Sequence, residues 1–89
     1  MKVKDFLENL DNNKGKRFVI EVGNEIIKKV TIEEMNYEIK DDEIYLINSI
    51  NLDFVVINLN TIRNISIENK VILIFLDDKN ETKIKITLI

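Results

Sequence analysis

Side chains that support covalent catalysis are scarce in this chain of 89 residues. It contains no histidine and no cysteine, and Ser49 and Ser66 are its only serines. Nucleophilic catalysis needs a nucleophile beside a general base, and the usual triads therefore cannot be built from these residues. A Ser–Lys pair remains formally open, but no spacing in the sequence points to one. We therefore predict that the protein is not an enzyme.

Residues that hold phosphate groups or metal ions are equally scarce. Phosphate-binding loops need clustered glycines, whereas Gly15 and Gly23 stand apart and are the only two glycines. Zinc sites normally use His or Cys ligands, which the chain lacks. The oxygen-rich segment 77–81 has no glycine and lacks the ligand spacing of calcium loops, which favours a solvated hairpin tip. We expect neither a cofactor nor a metal site.

The most distinctive charged segment is acidic. Residues 33–43 contain six carboxylates and one lysine, a net charge of −5, while the whole chain carries −3. The acidic residues, which we take as a candidate partner-binding set, are Glu33, Glu34, Glu38, Asp41, Asp42 and Glu43. A charge run of this kind is often only a solvated hairpin. The functional alternative is an acidic surface that docks on a basic groove of another protein.

Basic residues suggest an alternative site for RNA or DNA. The candidate patch consists of Lys14, Lys16, Arg17, Lys28 and Lys29. The net negative charge of the chain argues against nucleic acid as the main partner, because phosphate contacts need an excess of Lys and Arg. Single-strand binders also stack bases on exposed aromatic side chains, whereas we predict Phe18, Phe54 and Phe75 to be core residues.

Short strands must position most of these residues. The six apolar residues 71–76 are flanked by polar turns and predict a central strand. Alternating apolar residues on either side predict two hairpins, 62–68 with 70–76 and 70–76 with 82–88. We expect the strand at 82–88 to lie at the edge of the sheet.

The segment before these hairpins begins with a predicted helix. Val3, Phe6, Leu7 and Leu10 have the spacing of one helical face, which predicts a helix over 3–12 that docks on the sheet. Further strands are predicted at about 16–22, 25–32, 35–40, 43–48 and 52–58, with a tight turn at Gly23-Asn24.

The face alternation slips by one residue between Ile32 and Met35, which predicts a bulge or turn at 33–34. A helix over 31–39 is the competing interpretation, because Thr31-Ile32-Glu33-Glu34 matches a capping box. The predicted class is mainly β, or α+β by count. We predict a single domain over 1–89, in which one short N-terminal helix precedes a small antiparallel meander or barrel of about seven to eight strands.

Two short segments resemble the Sm-like RNA-binding barrels. Met35-Asn36 and Ile62-Arg63-Asn64 are similar to fragments of that family's two motifs, and a helix before a small barrel is similar as well. The chain has Ile32 where the family carries an acidic residue, and its last hairpin is additional. The resemblance implies a small Sm-like or SH3-like barrel that binds RNA or DNA, and assigns no RNA-binding residue.

Composition also bears on location and origin. No apolar run approaches the roughly 20 residues needed to cross a bilayer, and the N-terminus lacks a signal-peptide core, so we expect a cytoplasmic protein without membrane contact. The absence of Ala, Gln and Pro beside abundant Ile, Asn and Lys is typical of a low-GC bacterium or its phages.

The function predicted from these features is protein binding. We expect a small module that binds another protein, or itself as a self-assembling structural subunit, through edge strands. A phage or mobile-element inhibitor of the anti-CRISPR kind, with its acidic hairpin in a partner's basic groove, is the concrete form of this hypothesis.

Overall fold

The computed structural model describes residues 3–23, 28–77 and 83–89. These residues form a helix and eight strands: α1 (Val3–Asn12), β1 (Phe18–Val22), β2 (Lys28–Ile32), β3 (Met35–Lys40), β4 (Glu43–Asn48), β5 (Phe54–Asn58), β6 (Asn64–Glu68), β7 (Val71–Phe75) and β8 (Lys83–Leu88), with a 3₁₀ turn at Leu59–Thr61 between β5 and β6. The strands make a five-stranded antiparallel sheet, β2-β1-β8-β7-β6, and a three-stranded one, β3-β4-β5. The predicted class is confirmed, but the two sheets do not close into a barrel.

The centre of the five-stranded sheet is the apolar segment at 71–76. β7 pairs with β6 and with β8, so that Ile72 lies opposite Ile67 on one side and Ile86 on the other. Ile72 and Ile74 are fully buried. Both predicted hairpins and the central position of this strand are therefore confirmed.

The prediction that the strand at 82–88 forms an edge is wrong. β8 lies between β1 and β7, with Ile86 opposite both Ile20 and Ile72. Alternation of Ile84 and Ile86 with lysines shows which face of a strand is buried. It carries no information on how many strands lie beside it, because those neighbours come from distant parts of the chain. The edges of this sheet are β2 and β6.

The segment 31–39 is strand rather than helix. β2 ends at Ile32 and β3 begins at Met35, and a bend at 33–34 carries the chain from one sheet to the other. Ile32 and Met35 are both buried, because the bend absorbs the predicted shift in face alternation. This two-residue corner directs the inner faces of both sheets toward one core.

The core lies between the inner faces of the two sheets and is completed by the helix. Its buried members are Phe6, Leu10, Phe18, Ile20, Ile32, Met35, Ile44, Leu46, Ile57, Ile65, Ile72, Ile74, Ile84 and Ile86. Phe6 and Leu10 confirm that α1 docks through its apolar face. The helix contacts β6, and Tyr37 Oη on β3 donates a hydrogen bond to Asp11 Oδ1 at 2.6 Å. The helix therefore connects an edge of one sheet to an edge of the other.

Part of two predicted turns lies outside the described residues. Gly23 adopts a φ of 114°, as the predicted turn requires, but residues 24–27 and the hairpin tip at 78–82 are not described. Within the described ranges, no helix is long and apolar enough to cross a bilayer.

Candidate functional site

The outer face of the three-stranded sheet carries apolar side chains. Tyr45 lies opposite Val56 and Ile47 lies opposite Phe54, and all four point away from the core because the intervening Leu46 is fully buried. Phe54 is 57% exposed. The rings of Tyr45 and Phe54 are 5.6 Å apart between centroids and tilted by 50°, a favourable aromatic geometry. We call Tyr45, Ile47, Phe54 and Val56 the apolar face.

The loop between β4 and β5, at one end of the apolar face, carries two further exposed apolar residues. Ile50 and Leu52 are 63% and 72% exposed. The buried Asn48 holds the loop, since its Oδ1 accepts a hydrogen bond from the Ile50 N–H at 3.2 Å and its carbonyl accepts one from the Leu52 N–H at 2.8 Å. Leu52 adopts a φ of 63°, which is uncommon for a leucine. The two apolar side chains are thus presented by a defined turn.

The prediction that Phe54 belongs to the core is wrong. Residues 54–57 are all apolar, so the sequence does not show which alternate pair points inward. In the structure Ile57 is buried and Phe54 faces outward on a strand with no described neighbour on its far side. Phe75 is also outside the core, half-buried on the outer face of the five-stranded sheet, whereas Phe18 is fully buried as predicted.

The acidic residues of the predicted partner-binding set are distributed along β3. Glu33 and Glu34 lie at the corner before this strand, and Asp41 and Asp42 form the turn that follows it, with Glu43 as the first residue of β4. The strand between them separates the two groups by about 20 Å. They therefore form two acidic ends rather than one cluster.

Two members of the acidic set border the apolar face. Glu38 lies opposite Tyr45 on the outer face, and Glu43 lies on the same face at the start of β4, opposite Lys40. Asp53 directly precedes β5. Residues 33–58 contain seven carboxylates and one lysine, a net charge of −6, and the remaining residues carry +3. The exposed apolar side chains therefore lie within the most negative part of the molecule.

Two of the predicted basic residues are engaged locally. Arg17 Nε lies 3.3 Å from Glu33 Oε2. Lys14 Nζ lies 3.6 Å from Asp11 Oδ1 and 5.0 Å from the centre of the Tyr37 ring. The hydrogen bond from Tyr37 to Asp11, together with burial and the charge of Asp11, raises the pKa of the Tyr37 phenol.

The other three predicted basic residues lie on two elements, Lys16 on a loop and Lys28 and Lys29 on β2. Lys16 is exposed in the loop between α1 and β1, and its carbonyl accepts a hydrogen bond from the Met35 N–H. Lys28 is the first residue of β2, and Lys29 lies opposite Glu21 of β1. These residues therefore belong to a loop and an edge strand rather than to one element.

Two surface depressions lie away from the apolar face. One, of about 260 Å³, is lined by Ser66, Glu68, Asn69, Val71 and Leu73. The other, of about 380 Å³, is lined by Asn9, Asn13, Lys16, Asn69, Lys70, Leu88 and Ile89. Neither brings two carboxylates together for acid–base chemistry. Across the residues that the structure describes, no three acidic side chains converge where a cation could bind.

Sequence reasoning missed the apolar face, although one signal for it was present. Residues 44–47 and residues 54–57 are each apolar at every position, so both faces of these strands are apolar. A chain of this length is too short to bury both faces of every strand. The Sm-like fragments lie apart in the fold, since Met35-Asn36 opens β3 and Ile62-Arg63-Asn64 leads into β6 of the other sheet. The fold and the surface define a small two-sheet β protein with an exposed apolar face.

No family model, curated protein or solved structure matches this chain. Its function is therefore inferred from the geometry and chemistry of its own residues.

Proposed function

We propose that this protein is a non-enzymatic module that binds another protein through the apolar face. The observation that carries the proposal is the exposure of Phe54 and Val56 on one face of β5, with Ile50 and Leu52 also exposed in the adjoining loop. Single exposed apolar residues are ordinary on protein surfaces, whereas contiguous groups of them mark interaction sites. Aromatic residues such as Tyr45 and Phe54 are enriched at protein interfaces, and Tyr is among the residue types that most often dominate the binding energy.

The charge of the same region supports a partner of defined chemistry. Glu38 and Glu43 border the apolar face, and the acidic turn at Asp41 and Asp42 follows β3. A partner surface with an apolar centre and surrounding Lys and Arg residues would complement both properties. An inhibitor from a phage or mobile element that occupies a partner's basic, nucleic-acid-binding groove has this chemistry.

Nucleic acid is less well supported as the partner. The exposed aromatic side chains lie in the part of the chain with a net charge of −6, which repels phosphate groups. Among the candidate basic residues, Arg17 and Lys14 are paired with Glu33 and Asp11. A salt titration separates the two functions, because affinity for nucleic acid falls steeply as salt rises.

The test compares variants of the apolar face with matched variants elsewhere. Phe54→Ser removes the most exposed aromatic group, and Glu38→Lys with Asp42→Lys reverses one charge of the acidic border and one of the adjacent acidic turn. Ile89→Ser and Glu68→Lys are the controls, because both residues are exposed and lie outside the three-stranded sheet. Asp41 is left unchanged because its φ of 55° suits Asp better than Lys.

The measurement is affinity purification from a host lysate, followed by calorimetry with the purified partner. We expect Phe54→Ser to weaken binding at least about tenfold, as for an interface anchor, and the charge reversal to slow association. The two control variants should bind like the wild type. A partner that binds all variants equally, or a lysate from which nothing is captured, would contradict the proposal.

A further inference from the structure

The edge of the three-stranded sheet formed by β3 is closed by its own chain. The Met35 N–H donates to the Lys16 carbonyl at 3.0 Å, and the Met35 carbonyl accepts from the Gly15 N–H at 2.7 Å. The next outward donor, the Tyr37 N–H, is held by Asn36 Oδ1 at 2.9 Å. A neighbouring chain therefore finds the first backbone groups of this edge already occupied.

The edge of the five-stranded sheet formed by β6 is closed in a similar way. Asn64 Oδ1 accepts a hydrogen bond from the Ile65 N–H at 2.9 Å, and α1 contacts this strand. The opposite edge, β2, carries the charged Lys29. Covering helices, loops and edge lysines are the devices by which proteins prevent unwanted strand pairing.

The edge formed by β5 lacks this protection. Hydrogen bonds flank β5 at both ends, from the Asn48 N–H of β4 to the Asp53 carbonyl at 2.8 Å and from the Leu59 N–H to the carbonyl of Asp42, in the turn before β4, at 2.7 Å. In an antiparallel pair, every second residue of a strand hydrogen-bonds to the neighbouring strand, so within β5 the residues bonded to β4 are Val55 and Ile57. The N–H and C=O groups of Phe54 and Val56 then point away from β4. In the described part of the chain, they have no hydrogen-bond partner.

We infer that β5 accepts an extended segment of the partner as a fourth strand, hydrogen-bonded to Phe54 and Val56. This inference rests on the proposed function and specifies how the partner binds. Addition of a strand to an open sheet edge is an established mode of peptide recognition, in which backbone hydrogen bonds give affinity and alternate side chains give specificity. Alternate side chains of the added strand would lie beside Phe54 and Val56 on the apolar face.

The carboxylates near the two ends of β5 indicate which charged residues the bound segment carries. Asp53 precedes the strand, and Glu43 lies opposite Asn58 at its other end. These positions are about 17 Å apart along an extended chain, or about five residues. The segment therefore carries two basic residues about five positions apart, with apolar or β-branched residues between them.

The same charges disfavour a second copy of this chain as the occupant. Two copies joined through β5 would place two regions of net charge −6 side by side. Like charges at an interface oppose association, whereas a basic segment would neutralise these carboxylates. The occupant is thus a different protein with a basic, extended segment.

The test uses the synthetic peptide acetyl-Lys-Val-Thr-Val-Thr-Lys-amide and amide hydrogen exchange measured by NMR. We expect the peptide to slow exchange of the Phe54 and Val56 amides at least about fivefold, the effect of one net backbone hydrogen bond. A peptide with Glu in place of both Lys residues, and one with N-methyl groups on all four residues between them, should give no protection. Unchanged exchange at these two amides with the Lys peptide would overturn the inference.

Variants of Val56 test the same contact with the purified partner. Val56→Pro removes the outward N–H group and is tolerated on an edge strand, while Val56→Thr keeps that group and the branched shape. We expect the proline variant to bind about fivefold more weakly than the threonine variant. Equal binding by the two variants, both folded by NMR, would exclude strand addition.

The outcomes also separate this inference from the proposed function. Loss of partner binding in Phe54→Ser without protection of the Phe54 and Val56 amides would leave the apolar face as the site and overturn only the added strand. Protection that increases with protein concentration in the absence of peptide would identify a second copy as the occupant, which also overturns the inference.

Discussion

The two sheets differ in how exposed the apolar residues on their outer faces are. On the five-stranded sheet Leu73 is half-buried, because it lies on a central strand between Ser66 of β6 and Lys85 of β8. The aliphatic part of a lysine side chain covers neighbouring apolar surface while its charge stays in water. On the three-stranded sheet Phe54 lies on the last strand and is more than half exposed. Apolar residues on the outer face are therefore partly covered in the five-stranded sheet and accessible to solvent in the three-stranded sheet.

The part of the chain that forms the three-stranded sheet also differs from the rest in net charge. Residues 33–58, which include the three-stranded sheet, carry −6, and the rest of the chain carries +3. Exposed apolar surface and negative charge therefore coincide in one part of the molecule. This coincidence is the reason to treat the outer face of the three-stranded sheet as a surface for a basic partner, and the outer face of the five-stranded sheet as part of the framework.

The largest expected loss of stability is for a substitution in the core between the two sheets. Ile74→Ala removes a fully buried side chain from the inner face of β7. We expect the free energy of unfolding to fall by about 2–5 kcal/mol, from lost burial and the resulting cavity. Denaturant unfolding measures the change, with Ile39→Ala on an exposed position as the control. A loss as small as that of the control would show that Ile74 does not pack in the core.

A pair of smaller effects tests the contrast between the outer faces directly. Leu73→Ala should lower the free energy of unfolding by about 1–2 kcal/mol, because roughly half of a buried leucine's contribution is lost. Phe54→Ala should lower it by less than about 1 kcal/mol, mainly through its contact with Tyr45. Denaturant unfolding of both variants under one condition gives the comparison. The reverse order of the two losses would show that Phe54 is a structural residue.

The smallest expected effect concerns the connection between α1 and β3. Folding raises the pKa of Tyr37, chiefly through its hydrogen bond to Asp11, so the folded state holds the phenol proton more tightly than the unfolded state. The resulting stabilisation is present below the unfolded pKa and is lost as pH rises through the higher folded pKa. The melting temperature of the wild type should therefore fall more than that of Tyr37→Phe at alkaline pH. Parallel curves for the two proteins would contradict this contact.

Local pattern was sufficient to predict most of the elements. The spacing of Phe6 and Leu10 predicted α1, and the shift in alternation between Ile32 and Met35 predicted the corner between the sheets. These features depend on residues close together in the sequence, where helix and strand periods leave a direct signal. The bounds of β3 and β4 agree with the prediction at both ends.

Features that depend on distant neighbours were not predicted. The inward face of 54–57 is set by which alternate pair meets the core, and all of these residues are apolar. The central position of β8 is set by its pairing with β1, more than sixty residues earlier in the chain. For the candidate site, the acidic border at Glu38 and Glu43 was predicted as part of the charged set. The apolar face was missed, because exposure depends on the position of a strand within its sheet.

The pairing of β8 has a consequence for how the protein is made. Because β8 lies between β1 and β7, the five-stranded sheet remains two unconnected parts until residues 83–88 have left the ribosome. The strand pairing of the β3–β4–β5 meander and of the β6–β7 hairpin involves only successive strands, which emerge before β8. Insertion of β8 joins the earliest strand to the latest hairpin, a slow type of step because it closes a long loop. A nascent chain stalled before this strand would expose the apolar edges of β1 and β7 to chaperones.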